Sequence, residues 1–259
     1  MIHKTLVNGT AYEVKGGKCL VNGTSYDIKK GRTLIGGTGY DITFAPPYDS
    51  VFANNTWEQI IKACHNNAVP DTWNVADQKP MTINGVDYQI DIIGKNHDDY
   101  ADVSGKAPLT YQMHTTYATQ YKMNGAEYNN CGWKNCLVRT SNAFPALKKV
   151  MPAEVVAALK AVTKKTTAGG ASSAIDTTAD TLFLLSEIEV QGTRTHSYAG
   201  EGTQYAYYQT AANRKKNRAW YLRSPRISST SCFCRTGWSG EADWSVASEV
   251  DGIAAAWCF

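Results

Sequence analysis

The sequence predicts an α+β domain preceded by a small module of β-hairpins. A motif with a central Asn-Gly or Gly-Gly repeats three times near the start, two later segments have helical periodicity, and scattered short strands make up the rest. Strands that do not alternate with helices favour the α+β class over a parallel βαβ sheet. With 259 residues and 43% hydrophobic residues, the chain is long enough for one large core. We therefore expect a hairpin module over residues 1–44 and a larger domain over residues 45–259.

The repeat occupies residues 6–14, 20–28 and 34–42, with a period of fourteen. In each copy, Asn-Gly or Gly-Gly separates two short apolar steps, and these dipeptides are the two-residue turns that β-hairpins prefer. Each copy therefore predicts a hairpin, and the Lys-Gly steps between copies predict turns that join the hairpins into a meander. Strands this short bury little surface, so we expect an arm for attachment or oligomerisation. The alternative is a meander that packs on its own domain.

Two helices are predicted in the larger domain. Residues 45–49 contain consecutive prolines and predict a linker, because proline stiffens the chain and cannot donate to a ladder. Residues 56–64 then have apolar side chains at helical spacing, with Asn55 or Thr56 as the N-cap. Residues 152–162 predict a second helix, which begins with a proline and has one apolar face.

Several strands are predicted between and after these helices. Asn84-Gly85 predicts the turn of a hairpin over residues 81–94, whose second strand alternates apolar and polar residues and should be half-buried. The Gly, Ala, Ser and Thr residues of segment 166–178 predict a mobile loop. Residues 181–186 predict a buried strand, and we expect the first and last strands of the domain to pair.

The stretch 220–259 has apolar flanks and a small, polar middle. The two flanks, residues 220–225 and 252–259, each predict a buried strand, and Cys232-Phe233-Cys234 is expected to lie on a strand as well. The middle mixes Trp, Arg, acidic and hydroxyl residues without helical period, which is typical of a binding surface on loops held by a rigid frame. On the strands we expect these side chains to be core: Trp220, Leu222, Phe233, Ile253 and Trp257.

Several segments resemble a family of phage and prophage domains of unknown function. They are Trp-Tyr-Leu-Arg-Ser-Pro at 220–225, Phe233-Cys234, Gly237, the closing strand 252–259, and further landmarks at 95–100, 186–190 and 201–208. Ala255 stands where the family usually has proline, and Trp257 where it usually has phenylalanine. That family is similar to the variable proteins of diversity-generating retroelements, which have a C-type-lectin-like fold related to formylglycine-generating enzymes. The resemblance covers roughly residues 50–259 and implies this fold.

The resemblance implies a binding protein that displays a hypervariable surface for host recognition. We expect a protein or glycan ligand on a host cell surface, a location at a phage tail or capsid surface, and an arm that attaches to the phage particle or to a second copy as a homo-oligomer. Trp238 and Trp244 are the expected anchors and Arg235 the charged contact, because Trp and Arg dominate interface energetics. The expected ligand-binding residues are Ser229, Thr230, Ser231, Arg235, Trp238, Glu241, Asp243, Trp244, Glu249 and Asp251.

No catalytic motif is present in the sequence, and neither an enzyme activity nor a cofactor is expected. His97, Asp98 and Asp99 are too few ligands for Ca²⁺, so we expect no metal there and carboxylates that bond backbone amides. Cys232 and Cys234 would share a strand face and could bind Cu(I). Since the lectin-like superfamily includes copper oxidases, an oxidase is one alternative, although buried core thiols are the simpler interpretation. A structural virion protein without a ligand is another.

Composition excludes several other classes. A net charge of +3 is too small to indicate nucleic-acid binding. No apolar run has the length of a membrane span, and the N-terminus has no signal-peptide pattern, so we expect a soluble protein that is not exported. Seven scattered cysteines argue against a disulfide framework and favour assembly in a bacterial cytoplasm.

Overall fold

In the computed structural model the chain divides into two compact units, Met1–Asp49 and Ser50–Phe259. The described residues are 48–259 and six strands of the first unit, for which the backbone alone is described. These strands are β1 (Lys4–Val7), β2 (Thr10–Glu13), β3 (Lys18–Val21), β4 (Thr24–Asp27), β5 (Lys30–Ile35) and β6 (Thr38–Thr43).

The six strands pair consecutively into antiparallel hairpins, which confirms the hairpins predicted from the repeat. In the first, Val7 is paired with Thr10, so two residues join the strands. The turn residues themselves lie outside the described residues. The predicted meander is wrong for the strands that are described, because they form three separate two-stranded sheets.

The larger unit combines short helices with antiparallel sheets. Its α-helices are α1 (Trp57–His65), α2 (Gly132–Asn135), α3 (Leu137–Thr140), α4 (Ala143–Val150), α5 (Ala153–Ala158) and α6 (Glu187–Gln191), with 3₁₀ helices at Phe52–Asn54, Ala206–Gln209 and Ala211–Arg214. Its strands are β7 (Gln78–Ile83), β8 (Val86–Lys95), β9 (Leu109–Met113), β10 (Tyr121–Lys122), β11 (Val162–Gly169), β12 (Ser172–Asp180), β13 (Trp220–Pro225), β14 (Cys232–Thr236), β15 (Ala242–Val246), β16 (Val250–Asp251) and β17 (Ala256–Cys258). This mixture of helices and antiparallel sheets is compatible with the predicted α+β class.

Two sheets organise the unit. One has the order β17-β9-β8-β7 and the other the order β13-β14-β15, while β10 pairs with β16 and β11 with β12. The sequence predicts that the first and last strands of the domain, β7 and β17, pair with each other. In the structure both lie in the same sheet, but β17 pairs with β9. All five predicted core residues are at most 1% exposed, which confirms their assignment. None of the helices in the described part of the chain is long and apolar enough to cross a membrane.

The elements with local sequence signals form as predicted. Thr56 caps α1, its hydroxyl accepting from the Gln59 backbone N–H while the Gln59 side chain accepts from the Thr56 backbone. Asn84 and Gly85 have φ of 52° and 74°, the positive values that a tight hairpin turn between β7 and β8 requires. The second half of β8 differs from the prediction, since Asp91 is fully buried and both faces are covered there.

The segment after α4 differs most from the sequence prediction. The predicted helix over 152–162 ends at Ala158, and Val162 already begins β11. The predicted mobile loop over 166–178 lies in the hairpin of β11 and β12, whose strands are paired apart from an irregularity between Thr167 and Gly169 near the tip. Residues 181–186 are buried apart from Thr181, yet only Phe183 forms a bridge, to Ala256, so this is an extended segment and not a strand.

Candidate functional site

The candidate surface is built on the sheet β13-β14-β15. Every residue of β13 is buried, so this strand anchors the sheet in the core. A loop over 226–231 leads to β14, and a turn over 237–241 leads to β15, which is the edge strand. Gly240 has a φ of 95°, a value that favours glycine, and it lets the turn close. The carbonyl of Gly240 accepts from the Gln191 side chain at 3.1 Å, which holds the turn against the domain.

Strand register divides the predicted patch between two faces of the sheet. Cys234 lies opposite Trp244, and Arg235 lies opposite Asp243. Directly opposite residues share a face, and successive residues point to opposite faces. Trp244 therefore projects from one face, while Arg235 and Asp243 project from the other. The prediction of one continuous exposed patch is wrong in this respect.

Arg235 forms a charged clamp on its face. Its Nε donates to Asp243 at 2.8 Å, and its Nη1 donates to Asp251 on β16 at 2.9 Å. Asp251 was predicted to be exposed, but it is only 7% exposed, because β16 pairs with β10 and packs into the domain. Burial raises the pKa of Asp251, and the Arg235 guanidinium opposes that shift. Arg235 thus links β14 to β15 through Asp243 and to β16 through Asp251, and both carboxylates accept a hydrogen bond from it.

Two tryptophans are exposed on the hairpin formed by β14 and β15. Trp238, in the turn, is 66% exposed, and Trp244, on the edge strand, is 38% exposed. The Arg226 guanidinium lies 4.1 Å from the centroid of the Trp244 ring, which is a cation–π contact. We call the set Arg226, Trp238, Glu241 and Trp244 the hairpin surface.

The remaining predicted residues lie in the connections. Ser229 and Ser231 are half-buried and Thr230 is exposed in the loop before β14. Glu241 is exposed and accepts from the Ser239 backbone N–H and hydroxyl, at 2.9 and 2.5 Å. Glu249 is exposed in the turn that follows β15. The ligand-binding role of all ten residues stays a prediction.

Asn129 holds the loop before β14. Its backbone N–H donates to the carbonyl of Thr230 at 2.8 Å, and its side chain donates to the carbonyls of Ser229 and Cys232 at 3.0 and 2.7 Å. No sequence pattern singled out this residue, because its partners are about a hundred positions away. The contacts set the path of the loop independently of most of the loop's own side chains.

Cys232 and Cys234 lie on one face of β14, as the alternation predicted, and both are buried. Burial, together with the nearby carboxylates of Glu187 and Glu201, raises the pKa of Cys234 well above its usual value. A protonated thiol is a poor metal ligand, because thiolates bind metals. Within the described residues, no group of three or more His, Cys, Asp or Glu side chains could hold a metal ion.

A buried charge network lies where β11, α6 and β13 meet, and the sequence did not predict it. Lys164 donates to Asp98 and, at 3.4 Å, to Glu189. Arg223 donates to both oxygens of Glu189, at 2.5 and 2.8 Å. Burial would raise the pKa of Asp98, but the charge and hydrogen bond of Lys164, the Thr110 hydroxyl and the charge of His97 together outweigh burial and lower it to about 2. A cleft of about 240 Å³ lies above this network.

The network corrects the expectation for the His97, Asp98 and Asp99 cluster. The Asp98 carboxylate accepts from side chains and not from backbone amides, with Lys164 on one oxygen and Thr110 at 2.5 Å on the other. The Lys164 ammonium thus supplies the positive charge beside this carboxylate. Asp99 is exposed and pairs with Lys106 at 2.9 Å.

Fold and site together define a class of protein: an α+β domain that carries an exposed, tryptophan-bearing hairpin at the edge of an antiparallel sheet. The chain belongs to a family described as a domain of unknown function (DUF6273), whose model matches residues 108–258. This span contains the hairpin surface and starts later than the resemblance over 50–259 had suggested. No curated protein and no solved structure matches the chain.

Proposed function

We propose that this protein is a non-enzymatic binding protein that presents the hairpin surface to a ligand on a host cell. The observation that carries the proposal is the exposure of Trp238 and Trp244 on a backbone held by Asn129 and Gln191. Tryptophan is enriched among the residues that dominate binding energy. An exposed pair on a soluble surface otherwise favours aggregation, so a ligand gives these side chains a function.

The finer proposal follows the sequence resemblance: a C-type-lectin-like domain of a phage or prophage protein, displayed at the surface of a virion. Two features support this fold. Strand β17 returns to the sheet that β7 begins, and the last part of the chain builds a second sheet with a hairpin at its edge. A rigid frame that presents an exposed hairpin is suited to receptor recognition.

The test is capture of fluorescently labelled protein by a panel of bacterial cells. The double variant Trp238→Ser, Trp244→Ser should lose capture and keep a nearly unchanged melting temperature, because both side chains are solvent-exposed. Tyr128→Ser is the matched control, since Tyr128 is 44% exposed and lies outside the hairpin. Capture by the double variant at the wild-type level would show that the ligand binds elsewhere. Unfolding of the double variant would assign the tryptophans to the core.

A further inference from the structure

We propose that the ligand is a protein that adds an extended, basic segment as a further strand at the free edge of β15. The segment forms backbone hydrogen bonds with Ala242 and Trp244, and it places a lysine or arginine side chain beside Asp243. This inference rests on the proposed function, and it specifies the class of ligand and the way in which the ligand binds.

Strand β15 turns some of its backbone groups away from the sheet. It is the last strand in the order β13-β14-β15 and pairs with β14 alone. The Gly237 N–H donates to the carbonyl of Glu241 at 2.9 Å, so the backbone of Glu241 faces β14. The direction of backbone hydrogen bonds alternates from residue to residue along a strand. The N–H and C=O groups of Ala242 and Trp244 therefore face away from β14.

These outward groups are free in the part of the chain that the structure describes. No hydrogen bond from another described residue reaches the backbone of Ala242 or Trp244 on that side, whereas the carbonyl of Val246 accepts from the Tyr221 hydroxyl at 2.7 Å. The strand also contains neither proline nor lysine, which commonly protect strand edges. Two donors and two acceptors at strand spacing match an extended polypeptide backbone, which can bond all four.

The charges beside this edge favour a basic segment. Arg235 is shared by the carboxylates of Asp243 and Asp251, at 2.8 and 2.9 Å, and no other salt bridge among the described residues joins either carboxylate. These three groups thus carry one net negative charge. Glu241, exposed next to β15, adds another, because hydrogen bonds from Ser239 lower its pKa and keep it ionised. A ligand side chain opposite Asp243 would share its face of the sheet and lie within reach of its carboxylate.

The other face of β15 offers an apolar contact to the same segment. Trp244 projects there and is 38% exposed. The Arg226 guanidinium lies over its ring, 4.1 Å from the centroid, and so lies on the face opposite to Asp243. A ligand residue paired with Trp244 would pack beside the indole, as cross-strand neighbours do. An apolar side chain on this face and a basic one on the other therefore describe the segment that fits.

The first experiment determines whether the ligand is a protein. Bacterial cells that capture the fluorescently labelled wild-type protein are treated either with proteinase K or with sodium periodate, which oxidises sugars. We expect proteinase K to abolish capture and periodate to leave it unchanged, because the segment is a polypeptide.

The second experiment tests the strand edge with Ala242→Pro. Proline removes the outward N–H, and strand edges tolerate it where the N–H faces solvent. Capture should weaken about tenfold with a nearly unchanged melting temperature. Thr177→Pro is the matched control and should capture normally. Thr177 is exposed on β12 opposite Lys165, whose carbonyl bonds Arg223 outside the hairpin, so the Thr177 N–H also faces away from its paired strand.

The third experiment tests the sign of the charge. Glu241→Lys replaces a negative charge beside the edge by a positive one and should weaken capture about two- to fivefold, as expected for exposed charges. Glu127→Lys makes the same reversal at an exposed residue outside the hairpin and should behave as wild type.

Each experiment has an outcome that would overturn the inference. Capture that survives proteinase K, or that periodate removes, would mean that the ligand is not a protein segment. Normal capture by Ala242→Pro, or its failure to fold, would mean that the edge is not free for a strand. Unchanged or stronger capture by Glu241→Lys would mean that the segment is not basic. If any of these occurs while the double tryptophan variant still loses capture, the proposed function stands; if the double variant captures cells normally, the proposed function itself fails.

Discussion

Lys164 places an ammonium group in the interior, 3.9 Å from the centroid of the Phe183 ring and beside the carboxylates of Asp98 and Glu189. Its side chain is 2% exposed, so water does not screen these charges. Removing one partner from such a group leaves an uncompensated buried charge. In the sequence Lys164 stands between Thr163 and Lys165 and has the pattern of a solvent-exposed lysine. The structure shows instead that the buried network depends on it.

Lys164→Met should destabilise the protein by about 3–5 kcal/mol, because Asp98 would lose its principal cation. Urea unfolding of the variant measures this loss. Lys165→Met is the matched control on the same strand, since Lys165 is exposed, and it should change stability by no more than about 0.5 kcal/mol. Similar effects of the two substitutions would contradict a structural role for the network.

Acid stability should reflect Asp98. Its folded pKa, lowered from 3.8 to about 2, is below its unfolded value, so its contribution is present above about pH 4 and is lost as the pH falls towards 2. The shift corresponds to about 2–3 kcal/mol. Unfolding free energies measured across this window should fall less steeply in Asp98→Asn than in wild type. Asp99→Asn, at the exposed neighbour, should keep the wild-type slope; an identical slope in all three proteins would contradict the assignment.

At the scale of elements, the sequence predicted correctly the helix cap and the turn that depend on residues close together in the chain. The capping box of α1 and the Asn84-Gly85 turn are encoded within a few residues, and both form as expected. The sequence predicts a loop where the hairpin of β11 and β12 forms, because residues 166–178 are mostly Gly, Ala, Ser and Thr. Its order comes from the strand pairing and from distant partners such as Glu201, which accepts from Thr167 at 2.7 Å. Such contacts have no signature in the segment's own sequence.

Two adjacent glycines at the tip of this hairpin should respond differently to alanine. Gly169 has a φ of 83°, and a Cβ there would lie 1.9 Å from the carbonyl oxygen of Asn129. At Gly170, with a φ of 62°, the nearest atom would be 3.3 Å away. Gly170→Ala should therefore cost about 1–2 kcal/mol of backbone strain, and Gly169→Ala clearly more. Thermal melts of both variants check the order, and equal losses would show that the contact with Asn129 is not maintained.

The closing strand β17 should be essential for stability. Trp257 is fully buried, and its ring stacks against Tyr111 at 6.2 Å between centroids. Trp257→Ala should cost about 3–5 kcal/mol, because it leaves a large cavity. Trp238→Ala, at the exposed indole, serves as the control in the same melting experiment and should change little. An unchanged melting temperature for Trp257→Ala would refute its place in the core.

At the scale of the whole chain, we expect the larger unit to fold without the N-terminal arm, residues 1–44. Each described arm hairpin is a two-stranded sheet, and unpaired strand edges favour association with other strands. Deleting residues 1–44 should leave a folded monomer, while the full-length protein should sediment as an oligomer or bind a virion component. A full-length monomer that binds no such component would assign the arm another role.

The location of the candidate surface could be predicted from the sequence, but its division could not. Apolar flanks around a polar middle indicated the strands and the exposed turn between them. Which side chains share a face depends on the pairing of Cys234 with Trp244, and a shift of one residue would reverse it. The burial of Asp251 depends on β10, more than a hundred residues earlier in the chain. Neither relation is a property of the segment itself.

The hydrogen bonds from Asn129 to the loop before β14 determine which residues of this surface can be substituted without changing the backbone. Because Asn129 bonds the carbonyls of Ser229, Thr230 and Cys232, the path of the loop is templated from outside it. The Thr230 side chain is exposed and takes no part in that template. Substitutions of the Thr230 side chain should therefore leave the path of the loop unchanged, so that, under the proposed function, the surface can vary on a constant scaffold.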